Sequence, residues 1–341
     1  MSSIAATLAA QGGQLRQLTA KLGRAVDVTS LGILDRQGLL VLQPPTRISP
    51  NRACRMFRCA DDWMALNLAR DDDRDLISAW LQCEVRDDPW ATIERVARNR
   101  PAAELLADAI MLGLPAGRVG EVTAPNPEAP IAMGAPARRP RTGAPRVVDM
   151  SALWAGPMCG AILAEAGADV VKVESRRRPD PTRGATPVFF QRLNGRKRDL
   201  PLDLAADEGQ RQLRDEILAA DILITSARPR AFASLGLSPE EIFRANPALT
   251  WVAITGYGWN GEAAQRVAFG DDAAAAGGLV RWTKAGAPRF LGDALADPVT
   301  GLAAAIGALK GLASGGGVLV DISLARSAAG AAADRSDLAL A

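Results

Sequence analysis

The sequence predicts an α/β protein in which a mostly parallel sheet with helices on both faces is joined to a smaller α+β block. Three observations carry this. From residue 146 onward, short β-branched runs alternate with helical stretches, the pattern of a parallel sheet covered by its crossover helices. Within it, VVDMSALWAGPMCGAILAEAGADVVKVES (Val147 to Ser175) is a strand, a helix opened by Gly156-Pro157 and stopped at Gly167, and a second strand. A proline-rich stretch then separates this half from an N-terminal block of mixed helices and strands. The expected organisation is an α+β block over 1–123, a Pro/Ala-rich linker over 124–145 and a Rossmann-like domain over 146–341.

Taken in order, Ile4 to Leu22 has helical character and Gly38 to Leu42 reads as a strand. MFRCADDWMALNLARDDDRDLISAWL (Met56 to Leu81) reads as a strand, an acidic turn, a second strand from Trp63 to Leu68, and a helix. Trp90 to Leu112 supplies one or two helices with a break at Pro101, and GLPAGRV (Gly113 to Val119) is expected to be a turn. APNPEAPIAMGAPARRPRTGAP (Ala124 to Pro145) holds six prolines and few large apolar residues, so it is expected to continue neither helix nor sheet. Its Arg138-Arg139-Arg141 cluster reads as a solvated linker.

Beyond the linker, strands are expected at 147–150, 169–174, 221–225, 249–254 and 318–322, with helices at 157–166, 206–219, 238–245 and 298–312. Sheets of this type bind ligands beyond the carboxyl ends of their strands. That places a site at the turns after Met150, Glu174, Thr225 and Thr255.

Composition narrows the chemistry. With 341 residues, the chain can bury a sizeable core, and its 48% hydrophobic and 23% charged content is that of a globular protein. A formal net charge of +2 gives no support to nucleic-acid or bulk membrane binding. No apolar run reaches the ~18 residues of a membrane span, and the N-terminus lacks a secretory pattern. Cys54, Cys59, Cys83 and Cys159 form neither a CxxC pair nor a disulfide framework, so buried free thiols and a cytoplasmic setting are expected. The chain has no histidine, which removes Ser-His-Asp and Cys-His systems, a His general base and His-ligated zinc. Catalysis must come from carboxylates, Arg, Lys, Ser, Cys, backbone amides or a bound cofactor.

Four further pieces follow the first in order: NGRKRDLPLDL (Asn194 to Leu204), ADILITSARPRAFASLGL (Ala220 to Leu237), NPALTWVAITGYG (Asn246 to Gly258) and ALADPVTG (Ala294 to Gly301). Together, over Val147 to Ser327, they resemble the class III CoA-transferase family, which includes formyl-CoA and carnitine CoA-transferases and the α-methylacyl-CoA racemases. ADDWMALNL and GLPAGRV resemble the later, small-domain portion of the same family, here placed ahead of the nucleotide-fold half.

The resemblance implies that Asp297 is the nucleophile. It would attack an acyl-CoA thioester to give an aspartyl anhydride, which free CoA converts to an aspartyl-CoA thioester. A carboxylate suits such covalent catalysis, since an ionised group needs no base to activate it. Asp297 stands before the expected helix Pro298 to Leu312, where exposed amides could hold a carboxylate or an oxyanion, but Asp is also a favoured N-cap that needs no catalytic role. Asp293, four residues earlier, is the rival.

For CoA, the resemblance points to Trp154 and Ala155, Leu202 and Asp203, Ser226, Ala227 and Arg228, and Phe269, with Arg176, Arg177 or Arg228 pairing phosphates. The alternative is that Leu202 and Phe269 are core and the arginines surface. Family members form intertwined dimers, so a homodimer is implied, with an acyl-CoA and a small carboxylic acid as partners and neither metal nor NAD. A catalytically silent CoA-binding or partner subunit of the same fold is the alternative function.

Some positions depart from the transferases. Trp154 stands where a Gln is frequent, and Phe269 and Gly270 stand where an aromatic hydroxyl and a carboxylate are common. The racemases use a His and Asp pair, a route closed to a chain without histidine. GYGWNG (Gly256 to Gly261) matches GxGxxG but does not follow the first strand or open a helix, so a nicotinamide site is not expected.

Overall fold

The computed structural model describes residues 4–85, 88–127, 129–137 and 143–333, and the Arg138-Arg139-Arg141 cluster lies outside the described residues. A small antiparallel sheet is built from β1 (Cys54–Arg58), β2 (Trp63–Asn67) and β3 (Ala116–Arg118). The main sheet takes β4 (Ile131–Ala132), β5 (Arg146–Asp149), β6 (Asp169–Ser175), β7 (Arg198–Leu202), β8 (Ile222–Thr225) and β9 (Thr250–Thr255). A hairpin of β10 (Val280–Trp282) and β11 (Pro288–Phe290) follows, and β12 (Val318–Ser323) completes the seven-stranded main sheet in the order β4-β12-β9-β8-β5-β6-β7. All its pairings are parallel except β4 on β12.

Alternation along the strands explains why helices cover both faces. Val147, Val170, Ile222, Ile224, Val252, Ile254, Val320 and Ile322 turn to one side, where the helices Ile4–Ala20, Ala155–Glu165, Gly270–Ala276, Ala296–Ala313 and Leu324–Ala333 pack. Their neighbours Val148, Val171, Val173, Leu223, Trp251, Ala253 and Leu319 turn to the other. There Leu213 and Ile217, Phe232, and Ile242 and Phe243 come from the helices Asp207–Leu218, Pro229–Ser234 and Pro239–Ala245. Strands buried on both faces read as continuous apolar runs, which is why they are legible in the sequence.

The N-terminal residues divide between two cores. Leu15, Val26, Val28 and Ile33 join the core of the large sheet, while Phe57, Met64, Leu66, Trp80, Ile93 and Leu105 form their own. Cys54, Met56 and Ala65 pack against Ala275, Val280 and Phe290, which docks the small sheet on the Gly270–Ala276 helix and the β10–β11 hairpin.

Several elements differ from expectation. Gly38–Leu42 forms no strand, only a turn with a single bridge between Gln37 and Leu40. The expected turn at Gly113–Val119 contains β3, because Gly113 at φ 72 ends the preceding helix and the chain then meets the free edge of β2. The linker does enter the sheet. Ile131-Ala132 lies between Pro130 and Pro136, and this proline-free interval is long enough for two ladder positions on β12 at the sheet edge. Ala135 N–H and Ala137 N–H then donate to Pro247 O and Gly315 O, at 2.9 and 2.8 Å. β7, with Pro201 and mostly exposed residues, is an edge strand whose sequence does not carry the buried signature.

Candidate active site

Chain order along the sheet fixes where a site can form. β5, β6 and β7 run outward in one direction, and β8, β9 and β12 in the other, so order reverses between β5 and β8. Helices leaving such neighbours go to opposite faces and open a crevice at the carboxyl ends. The two loops at that crevice are 151–155 and 226–228, and Ser226 Oγ joins them by accepting the Ala152 N–H at 3.0 Å.

A buried polar network holds the first loop in place. Lys197 Nζ donates to Asp149 at 2.7 Å, to Pro157 O at 2.8 Å and to Asn194 at 2.8 Å, with both members of the ion pair fully buried. Burial alone would raise Asp149, but Lys197 and Lys172 outweigh it and hold this carboxyl below its usual range. Ser151 hydroxyl bonds to Asp149, and Lys172 donates to the Ser151 carbonyl and to Asp180. Asp180 also accepts the N–H of Leu153, whose φ of 71 is left-handed. The loop is thus fixed residue by residue up to the helix Ala155–Glu165.

The second half of the site is the helix Ala296–Ala313. Gly301 lets it approach the Ala155–Glu165 helix: a side chain there would meet Met158 Sδ at 2.8 Å and Ala155 O at 2.9 Å. This contact brings the Ala155 N–H, at a helix N-terminus, to the Asp297 carboxylate. Asp297 lies in the first turn, not at the cap, which is Leu295. The helix begins earlier than the sequence implies, and the capping role open to Asp297 in the sequence is not the one it has.

Asp297 is one of three neighbouring carboxylates. Asp293 is committed to Arg36, which grips it with Nε and Nη2 at 2.8 Å each, and to Asn51 Nδ2 at 2.7 Å. Asp271 accepts from Asn51 Nδ2 and from Ala294 N–H, both at 2.7 Å. Burial pushes Asp271 up to about 6, Asn51 pulling against it and Asp293 adding to it. Asp297 is pushed up to about 7, first by burial and further by Asp271 and Asp293, while Arg36 and the Ala155 amide favour its charged form. Its Oδ2 rests against Gly270, where a Cβ would lie 2.1 Å from that oxygen. Of the two rivals in ALADPVTG and its approach, Asp293 is tied up in an ion pair and Asp297 is the one held next to a helix N-terminus.

The other predicted residues divide into two groups. Trp154, Ala155, Ser226, Arg228 and Phe269 surround this crevice, whereas Leu202 and Asp203 stand at the end of β7. Trp154 is buried, donating its indole N–H to Ile33 O at 2.8 Å and meeting Phe189 edge-on at 5.2 Å, so its side chain is a scaffold under Arg36. Leu202 is core, and Asp203 pairs with exposed Arg177 at 3.2 Å. Ala227 is exposed beside Ser226. Arg228 is held below its usual range by burial first, then by Arg230 and Arg70, and Arg70 also lies over the Phe269 ring at 5.5 Å. Arg176 is exposed and donates to Pro201 O at 3.1 Å.

GYGWNG leaves β9 as a bend leading to the short 3-10 helix Glu262–Gln265, away from the first βα turn. Cavities of about 270 Å³ beside Trp282 and about 530 Å³ beside Gln191 lie away from Asp297, whose carboxylate is packed on Gly270. Sequence reading missed Arg36 and Asn51, which come from stretches with no motif, and Arg70, which lies just past ADDWMALNL and has no signal of its own. Asp271 directly follows Phe269 and Gly270, which the resemblance singles out, and the sequence assigns it no role of its own.

The family profile of CoA-transferase family III matches residues 144–336, more than half of the chain. The chain belongs to CoA-transferase family III. It is 32% identical over 193 residues to the succinyl-CoA–D-citramalate CoA-transferase of Chloroflexus aurantiacus, covering 52% of this chain and 48% of that one. It is also 32% identical over 176 residues to the formyl-CoA:oxalate CoA-transferase of Afipia carboxidovorans, covering 49% and 41%. The crystal structure of a CaiB/BaiF family protein from Brucella suis superposes with a TM-score of 0.52 at 29% identity, over 56% of this chain and 55% of that one. The chain spans about half the length of the curated relatives it matches. Arg36, Asn51 and Arg70 all lie outside the matched residues.

Proposed function

We propose that this chain moves CoA from an acyl-CoA to a small carboxylic acid through a covalent intermediate on Asp297. The observation that carries the reading is the contrast between Asp293, neutralised by Arg36 and Asn51, and Asp297, which faces the Ala155 amide beyond the switch point of the parallel sheet. Asp297 attacks the thioester carbonyl, the carbon–sulfur bond breaks, and CoA leaves as thiolate. The thiolate then attacks the aspartyl carbonyl of the anhydride, releasing the donor acid as carboxylate. The acceptor carboxylate enters by the same two steps in reverse, which frees Asp297 and forms the new acyl-CoA, with no net proton exchange.

The Ala155 N–H, bonded to the Asp297 carboxyl, would stabilise the oxyanion that forms on that carboxyl when the aspartyl carbonyl is attacked. Arg228 and Arg230 lie close to each other, with Arg70 nearby over Phe269 but paired with Asp73, so Arg228 and Arg230 are the charges suited to the phosphates of CoA. The Ser226–Arg228 loop, joined to the loop before the Ala155–Glu165 helix through Ser226, would carry the pantetheine chain. A homodimer in a cytoplasmic setting belongs to the same reading, and the lack of histidine sets aside the two-base racemase route.

The alternative, a CoA-binding or partner subunit without activity of its own, is favoured by Phe269 and Gly270, which stand where an aromatic hydroxyl and a carboxylate are common in the family. Asp297→Ala separates the two. The transferase reading predicts loss of exchange by at least about a thousandfold with CoA still bound, judged by calorimetry. Exchange that is absent from the native chain, or unchanged in Asp297→Ala, contradicts it.

A further inference from the structure

The segment before β1 reaches the carboxylate cluster with two side chains, and both are themselves held. Arg36 lies 4.9 Å over the Trp154 ring, and the same indole donates to Ile33 O, so the segment is pinned to the loop that precedes the Ala155–Glu165 helix. Asn51 Oδ1 accepts from Ala53 N–H at 2.8 Å and Ser49 Oγ at 2.9 Å, which turns its amide hydrogens toward Asp271 and Asp293. Asp271 in turn holds the N–H of Ala294, a non-glycine residue at φ 46, and the Ala294 carbonyl accepts the Asp297 N–H at 2.9 Å. A left-handed alanine persists only where its surroundings enforce it. The turn that launches Asp297 is therefore clamped from both sides by residues fixed by Arg36 and Asn51.

We propose that Arg36 and Asn51 are positioning residues for Asp297, so that the N-terminal segment outside the family-matched residues is part of the working site. The proposal rests on reading Asp297 as the acyl-accepting carboxylate. The charged groups facing Asp297 are Arg36 from this segment, Asp271 from the Gly270–Ala276 helix and Asp293 from the turn. With Arg36 removed, Asp293 loses its counter-charge and Asp297 loses the cation that favours its charged form. Both changes favour the protonated, non-nucleophilic form of Asp297.

The test follows the Asp297 side chain in the full-length protein labelled with aspartate carrying carbon-13 at its carboxyl, the resonance being the one lost in Asp297→Asn. Arg36→Met is expected to move the Asp297 midpoint upward by about one pH unit or more, and to slow acyl capture at pH 7 by about tenfold. Capture recovers at higher pH, and Arg36→Lys restores part of it. Arg36→Gln, which keeps a donor for Asp293 without the charge, carries the same expectation should Arg36→Met not fold. A midpoint that superimposes on that of the native chain overturns the proposal, even if the variant melts earlier. A shifted midpoint in a chain that captures no acyl group upholds the positioning and instead removes the transferase reading.

Discussion

At the scale of single residues, the proposed chemistry depends on which of three carboxylates is left to react. Asp293 and Asp297 are four residues apart in one sequence motif, and their difference is made elsewhere in the chain, by Arg36 and Asn51. Spacing therefore points to the segment that holds both acids but leaves the choice between them to a resemblance. Gly270 shows the same limit. In the sequence it is a departure from the family; in the fold its lack of a side chain is what admits the Asp297 carboxylate, with the Ala294 carbonyl 2.7 Å from where a Cβ would be. Gly270→Ala is thus expected to displace Asp297. Since a misplacement of about an ångström can cost on the order of a hundredfold, steady-state exchange should fall by that much with the chain still folded by circular dichroism. Activity within a factor of a few of the native chain would contradict this packing.

At the scale of elements, the Gly270–Ala276 helix carries a second buried acid that the proposed chemistry does not use. Asp272 accepts Asn67 Nδ2 at 3.2 Å and Phe269 N–H at 3.0 Å, joining the small sheet to the helix, and burial pushes it up to about 8. A carboxyl raised in the folded state binds more protons there than in the unfolded chain. Its contribution is therefore fully present below the ordinary carboxyl value of 3.8 and is lost as pH rises through about 8. Asp272→Asn, which keeps an acceptor for both donors and cannot ionise, should raise the melting temperature at pH 8 relative to the native chain and change it less at pH 5. An unchanged difference between the two pH values would show that Asp272 does not titrate as described. The strands of the main sheet are legible where both faces are buried, as in β8 and β9, and not where an edge position admits proline and polar residues, as in β7 and β4.

At the scale of the whole molecule, the sheet order explains why residues from distant stretches converge. Reversal between β5 and β8 sets the loops 151–155 and 226–228 side by side, and the Ala296–Ala313 helix crosses the Ala155–Glu165 helix at Gly301. The alternating half of this arrangement can be read from periodicity, because each strand and helix announces itself locally. The docking of residues 4–58 cannot, since Leu15, Ile33, Arg36 and Asn51 gain their meaning only from partners more than a hundred residues away. Among the described residues, no helix is long and apolar enough to cross a membrane.

The central claim is that Asp297 becomes acylated. Intact-protein mass spectrometry of the chain mixed with a panel of acyl-CoAs, trapped with hydroxylamine and followed by mapping of the modified peptide, tests it directly. The account predicts a modification on Asp297 that depends on the acyl-CoA, increases as pH rises through about 7 and is absent in Asp297→Ala. A modification on Asp293 or on any other residue, or none with any member of a panel that the chain binds, would contradict it.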